Sequence, residues 1–420
     1  MKEKSGIFCK DKDKERVEFA LKELTKIVSP DGVVNGMDFL KRDQCKSILD
    51  FSIRINGLEG SGKKEEIIEN AFLKIRRENK YSAESFANAL KHEINLILDK
   101  NIEKFHILFL LNIDTSVFKN KRHFAICNNK LYCRTQKYIL KNFDLNQFNT
   151  EANYLIDALP SSSLSLFEFF EYISEGGDGE EAFRNAYQDF ELFRAILNFS
   201  DNFGVCKYSY NEEIHINSFL PSYFYLIFDS KYNYQDYRYT REKFTYKKLK
   251  LSPHFKPTLF KKLINMFLAK PSDNSLKRLI LEAIIGYSQA LDSLELESNF
   301  LRLWQILELI TFSSEESSIK NATNKVKLLF NQKPLWNYTL DWICQQRNEL
   351  VHKGNFPEEG LKNLNILKYI VDQCLYQLII FNKYFSDKSD LQLFYELESE
   401  PYGSLKKRVK VINKIIKFRK

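Results

Sequence analysis

Apolar residues recur every three or four positions in KERVEFALKELTKIV (14–28), EEIIENAFLKIRREN (65–79) and SAESFANALKHEINLILDK (82–100), which predicts three helices. Between the first two, SILDFSIRI (47–55) reads as a strand and runs into a glycine-rich turn. FHILFLLNI (105–113) and HFAICNNKLYCRT (123–135) predict two or three further strands, the second stretch folded about a turn at Asn128 and Asn129. Residues 1–150 therefore read as a mixed α/β domain.

From 151 to 255 the pattern is again mixed, and this segment could continue the first domain. SEGGDGE reads as an acidic, flexible linker leading into a strong helix, EEAFRNAYQDFELFRAILNFS (180–200). The aromatic-rich, alternating stretches EIHINSFLPSYFYLIFDS (213–230) and YRYTREKFTYKKLKLS (237–252) have strand character. Beyond 256 the pattern turns wholly helical. TLFKKLINMFLAK, SLKRLILEAIIGYSQALDSL, ESNFLRLWQILELITF, SSIKNATNKVKLLF, LWNYTLDWICQQRNELVHK and EEGLKNLNILKYIVDQCLYQLIIFNKYF follow one another with short connections. Ser313 with Glu316 has capping-box spacing, and Gly354 stands where a helix would stop. Short links between long amphipathic helices predict a compact bundle over 256–386, followed by a tail over 387–420. The fold class expected is α+β.

Composition narrows the function classes. The 420 residues, 44% of them hydrophobic, can form more than one core. The N-terminus alternates charges where a signal peptide needs an apolar core, and no apolar run approaches the roughly 20 residues of a membrane span. A cytoplasmic protein with no membrane partner is expected. The seven cysteines are scattered with no CxxC pair, and the six histidines show no ligand spacing, so neither a metal nor another cofactor is expected. The net charge of +8 has one source. The last 17 residues, SLKKRVKVINKIIKFRK, hold eight cations and no acid, which leaves the rest of the chain formally neutral.

Two motifs could carry chemistry. GLEGSGKK (57–64) places Gly57, Gly62 and Lys63 in the G-x-x-x-x-G-K pattern of a phosphate loop, with Asp114 as its acidic partner. That site requires a hydroxyl directly after the lysine to ligate magnesium, and Lys64 stands there instead. The second motif is CQQRNELVHKG (344–354). At about 100° per residue, Asn348 and His352 stack on one helix face, whereas Arg347 and His352 lie about 140° apart. Fraying before Gly354, or a second copy across a two-fold axis, would be needed to bring the two together. A histidine can exchange a proton near neutral pH, and an arginine fork matches a phosphate, so with the RNA 2′-hydroxyl as nucleophile they suffice for cleavage without metal. The plain alternative is a helix that ends on cations, with Arg347 paired to Glu349 or Glu308.

R-N-x-x-x-H at the end of a helix in a C-terminal bundle, with FLRLWQILELI upstream, resembles the HEPN superfamily and its ApeA-like members in bacterial antiphage defence. The resemblance covers about 256–386. It implies metal-independent RNA cleavage by a homodimer, with Arg347 and His352 catalytic, Asn348 beside them and Glu308 in support. It also implies an antiphage or toxin-type role, the N-terminal regions sensing a phage-derived trigger or regulatory partner. Some members of the superfamily are non-catalytic adaptors. Lys353 and the tail cations Lys406, Lys407, Arg408 and Lys410 are candidate RNA contacts. Leu405, Val409, Ile412 and Ile416 give the tail an apolar stripe, so a membrane-surface helix and a docked terminal helix are its other readings.

Overall fold

A computed structural model describes residues 7–8, 11–29, 38–55, 62–98, 102–114, 118, 122–145, 167–206, 216–220, 224–239, 249–293, 295–311, 319–330, 334–354, 360–398 and 400–419. The chain forms two compact units, Met1–Ile102 and Glu103–Lys420. The expected boundary near 150 therefore moves to 102, because the strands expected over 105–113 and 123–135 belong to the sheet of the second unit.

The first unit packs four described helices, α1 (Asp11–Ile27), α2 (Phe39–Ser52), α3 (Gly62–Glu78) and α4 (Ala83–Leu98). Val17, Leu21 and Leu24 of α1 meet Ile67, Ile68, Phe72 and Ile75 of α3, and Phe86 and Leu90 of α4, in one core. Its strands are two residues each, β1 (Ile7–Phe8) antiparallel to β2 (Arg54–Ile55). The expected strand over 47–55 is a helix as far as Ser52. Cys45, Leu49, Ser52 and Ile53 are its buried positions, a helical spacing that the local alternation of SILDFSIRI concealed.

The second unit is built on a six-stranded antiparallel sheet, β3 (Glu103–Leu111), β4 (His123–Ile126), β5 (Asn129–Arg134), β6 (Glu168–Gly176), β7 (Phe224–Phe228) and β8 (Tyr234–Tyr239), in the order β4-β5-β6-β3-β7-β8. Together with the helices this makes the chain α+β. The central pair β3–β6 runs in register from Glu103 opposite Gly176 to Leu111 opposite Glu168. The run from Phe105 to Leu111 is buried throughout because both faces of the sheet are covered. Phe105, Ile107, Phe109 and Leu111 face helix α6 (Gly179–Asn202), while Leu108 and Leu110 meet Ile139 of the short helix α5 (Gln136–Asn142). Phe109 stacks on Phe190 with ring centroids 4.2 Å apart.

Three local expectations change here. SEGGDGE is no linker: Ser174–Gly176 ends β6, and the Asp178 carboxylate accepts the Glu181 N–H at 2.8 Å to cap α6. A Cβ on Gly176 would lie 2.7 Å from the Ala182 backbone nitrogen, so this turn admits only glycine. The β4–β5 hairpin turns at Cys127 and Asn128, with φ of 47° and 69°, one residue earlier than expected. Among the described residues of 213–230, Phe224–Phe228 is strand. Residues 216–220 are held by amide side chains instead, Asn198 pairing with both backbone groups of Phe219 (2.9 and 3.0 Å) and Asn112 with Leu220 N–H and Ser218 C=O.

The far side of α6 packs on α8 (Leu276–Asp292), reached through α7 (Pro257–Met266). The series continues as α9 (Leu296–Thr311), α10 (Ile319–Leu329), α11 (Pro334–Lys353), α12 (Gly360–Phe381), α13 (Lys388–Glu398) and α14 (Tyr402–Arg419). One core runs from the sheet into these helices, so 151–255 and 256–386 share an interior instead of forming separate domains. The capping-box pair Ser313 and Glu316 lies outside the described residues. Helix α12 is the one described helix long and apolar enough to span a bilayer, but 61% of its apolar window is buried against the rest of the unit.

Two buried ion networks join α6 to its neighbours. Arg194, with 1% of its surface exposed, donates to both oxygens of Glu191 (3.0 and 2.6 Å) and of Asp292 on α8 (2.9 and 2.7 Å). Lys368 of α12 donates to the Asn202 carbonyl at the C-terminus of α6 (2.7 Å) and to Asp372, which also accepts the Gly204 N–H. Arg194→Ala strands two buried carboxylates. We expect it to cost about 3–5 kcal/mol of unfolding free energy, read from urea denaturation.

Candidate functional site

Helix α11 begins at Pro334, whose ring fixes φ and whose missing N–H is not needed in a first turn. It continues unbroken through His352 and Lys353 and ends at Gly354, which takes φ of +66° and returns its N–H to Leu350 C=O at 3.0 Å. The helix does not fray at His352. Ile343, Arg347 and Leu350, spaced i, i+4, i+7, share its inward face.

That placement turns Arg347 toward α9. Its Nη2 lies 3.8 Å from Glu308 Oε1, and the two side chains keep 18% and 19% of their surfaces accessible. Glu308 Oε1 is itself held by the Trp304 indole N–H at 2.7 Å, one turn earlier on α9. Asn348 Oδ1 accepts a long bond from Arg347 Nη1 at 3.4 Å. The Arg347 Nε–H is buried and meets no acceptor among the described residues, an orphan donor of the kind that costs about 1–3 kcal/mol unless a bound group satisfies it. His352 and Lys353 point to solvent on the other side. The structure thus brings Arg347, Asn348 and Glu308 together and leaves His352 apart, as the 140° separation requires.

The exposed side of α11 is unusually apolar. Leu335, Tyr338 and Trp342 are 73%, 76% and 36% exposed, and His352 lies within about 40° of Tyr338 around the helix axis. On α14, Lys406, Lys407, Arg408 and Lys410 are exposed, Arg408 pairing with Glu400 at 2.7 Å. The docked terminal helix is not found. Val409, Ile412 and Ile416 are each about half exposed, and every described side chain of α14 except Leu405 is classed with the surface.

Of the phosphate-loop motif, residues 57–61 lie outside the described residues. Lys64 forms an ion pair with Asp50 at 2.8 Å within the first unit, and Asp114 belongs to the second. A cavity of about 510 Å³ opens beside Arg194 between α6, α8 and α9, and the self-compensated Glu191–Arg194–Asp292 network lines part of it.

A second cluster escaped the sequence reading. On the α5 side of the sheet, His106 of β3 and Arg134 of β5 both bond the fully buried Glu171 of β6, Nδ1 to Oε1 at 2.6 Å and Nε to Oε2 at 2.5 Å. Arg134 lies between the rings of Tyr132 and Tyr138, 4.6 and 4.4 Å from their centroids. The Tyr232 ring rests on the His106 imidazole at 4.2 Å, from a backbone with φ of +65° that a bulky residue rarely adopts. The sequence trace is one polar residue inside the apolar run of each of two strands, His106 in FHILFLL and Glu171 in FFEY. Pairing them needs the register of strands 65 residues apart.

No family model matches the chain, and neither a curated protein nor a solved structure matches it.

Burial pushes the Glu171 carboxyl up, but the bonds and charges of His106 and Arg134 outweigh it and hold the group below its ordinary value of 4.5. A lowered folded pKa means stability that is present above the unfolded value and lost as pH falls through the folded one. Urea midpoints measured from about pH 6 down to about pH 3 should fall for the natural chain, and Glu171→Gln should remove that part of the fall.

Proposed function

We propose that the chain is a metal-independent endoribonuclease of the HEPN type, cytoplasmic and active in antiphage defence or as a toxin, with Arg347 and His352 in a site shared between two copies. The observation that carries this reading is the combination on α11 of an inward arginine with an orphan Nε donor and an outward histidine beside an uncovered apolar face. A second copy docking on Leu335, Tyr338 and Trp342 would remove that apolar surface from water and place its own residues next to His352.

In such a site His352 removes the proton of the 2′-hydroxyl or returns one to the leaving oxygen. Arg347, released from a pair that at 3.8 Å is loose, carries the extra phosphate charge of the transition state. Asn348 and Glu308 hold the guanidinium until RNA arrives. Lys353 and the cations of α14 supply sequence-blind phosphate contacts. A phage-derived trigger or regulatory partner is assigned to the first unit. The second reading is a non-catalytic adaptor, favoured by the same Arg347–Glu308 contact if it never opens.

Cleavage of total RNA in EDTA should be lost in both Arg347→Ala and His352→Ala. Mixing the two variants should restore about a quarter of the activity, since half of the dimers then carry one intact shared site. Activity that survives either substitution would remove the site, and a mixture that stays inactive would remove the sharing. RNA binding without cleavage by the natural chain, with or without phage infection, would establish the adaptor. Replacing Lys406, Lys407 and Lys410 by Gln should lower the slope of log affinity against log salt for single-stranded RNA by about 2.

A further inference from the structure

The buried ion cluster on the sheet has a chemical asymmetry. Each Glu171 oxygen is already occupied, one by His106 Nδ1 and the other by Arg134 Nε. What remains open belongs to its two partners. Neither Nη of Arg134 makes a hydrogen bond among the described residues, and the arginine side chain keeps 25% of its surface accessible. The His106 side chain is 9% accessible, and its Nε2 meets no partner among the described residues. The carboxylate is acceptor-only when ionised, so it takes the Nδ1 proton and fixes which imidazole nitrogen is left free.

Stability does not account for this arrangement. A fully buried carboxylate costs several kcal/mol to desolvate, and apolar residues would fill the space between β3, β5 and β6 more cheaply. The same region holds Tyr232 in a left-handed backbone. That strain is maintained by the Asp229 side chain, which accepts the Lys231 and Asn233 N–H groups, and by the Asp144 N–H, which donates to Tyr232 C=O at 3.1 Å. Its effect is to lay an aromatic ring against His106. The Tyr232 hydroxyl, pushed up to about 12 by burial and by its bond with Tyr138, stays a neutral donor. Carboxylate, guanidinium, imidazole and tyrosine rings from three strands, a turn and a short helix thus meet in one cluster.

We propose that this cluster binds a phosphate monoester, with the two Nη groups of Arg134 forked on the phosphate oxygens and His106 Nε2 on a third. A planar guanidinium fixed between two aromatic rings presents a preorganised bidentate edge, the geometry that suits phosphate. The imidazole accepts the P–OH of a phosphate monoanion through its lone pair, or donates once protonated. The site needs neither α11 nor a second copy, so it stands or falls separately from the nuclease reading.

Calorimetry on the full chain at fixed ionic strength tests it with inorganic phosphate, adenosine 5′-monophosphate and adenosine. Phosphate and the nucleotide should bind and adenosine should not. Equal affinity for the two binders identifies free phosphate as the ligand, and tighter nucleotide binding identifies a nucleotide. Arg134→Lys keeps a cation against Glu171 but loses the fork and should weaken binding at least about tenfold. His106→Gln keeps a donor to Glu171 and should weaken it less. A second measurement needs no variant. Phenylglyoxal modification of Arg134, located by peptide mass spectrometry, should slow several-fold with phosphate present while that of Arg347 does not. Absence of binding by the natural chain at 10 mM phosphate and nucleotide would overturn the assignment. So would unaltered binding in a folded Arg134→Lys protein, or Arg134 modification at the same rate with and without phosphate.

Discussion

Helix α6 carries a guanidinium to a place where 1% of its surface stays exposed, and the second unit is organised around neutralising it. Arg194 needs two carboxylates. One comes from its own helix, Glu191, and the other from the last turn of α8, Asp292, 98 residues away. Because Asn217 also donates to Asp292 and to Ser288, the same carboxylate fixes the segment 216–220 that precedes β7. Apolar side chains would pack this place without the desolvation cost. The trio therefore contributes register more than stability, admitting one alignment of α6 against α8. Lys368 and Asp372 do the same at the C-terminus of α6, where a buried ammonium meets the helix's last carbonyl, that of Asn202. Sheet, central helix and C-terminal helices thereby share one interior.

How much of this could be read along the chain depended on how local its cause was. Helices α8, α9 and α12 were legible because their apolar positions repeat at helical spacing over four or more turns. The 140° between Arg347 and His352 was legible for the same reason. The misread stretches were those in which two periods compete or a turn does the structural work. SILDFSIRI alternates locally although it closes a helix, and SEGGDGE looks like a linker because the strand end, glycine turn and aspartate cap it contains are all small or polar. The boundary at 102 was missed because β3 is joined to its partners only through pairing with β6 and β7, far along the chain. The His106–Glu171–Arg134 cluster was hidden for that reason alone. Each residue is unremarked in its own strand, and only register brings them together.

The two polar centres of the second unit differ in how their parts are supplied, and that difference bears on what each can do alone. On α11 the arginine and histidine come from one rigid helix, and its geometry sends them apart. A gap of five residues cannot be closed without breaking a helix that runs intact to Lys353, so a single chain keeps these two side chains apart. On the sheet, three strands each contribute one residue, and the pairing that builds the sheet also assembles the cluster. Convergence of that kind costs the molecule a buried carboxylate and a strained tyrosine, and it is complete without a partner. A chain with both would have one centre controlled by association and another available whenever the second unit is folded. Occupation of the sheet centre can influence α11 through α6, since α6 covers the opposite face of that sheet and packs against α8, and α9 carries Glu308 to Arg347. The rigidity that Arg194 imposes on α6 and α8 makes that route a stiff one: a displacement at β6 would reach α8 as movement of a whole helix, not as rearrangement of single side chains.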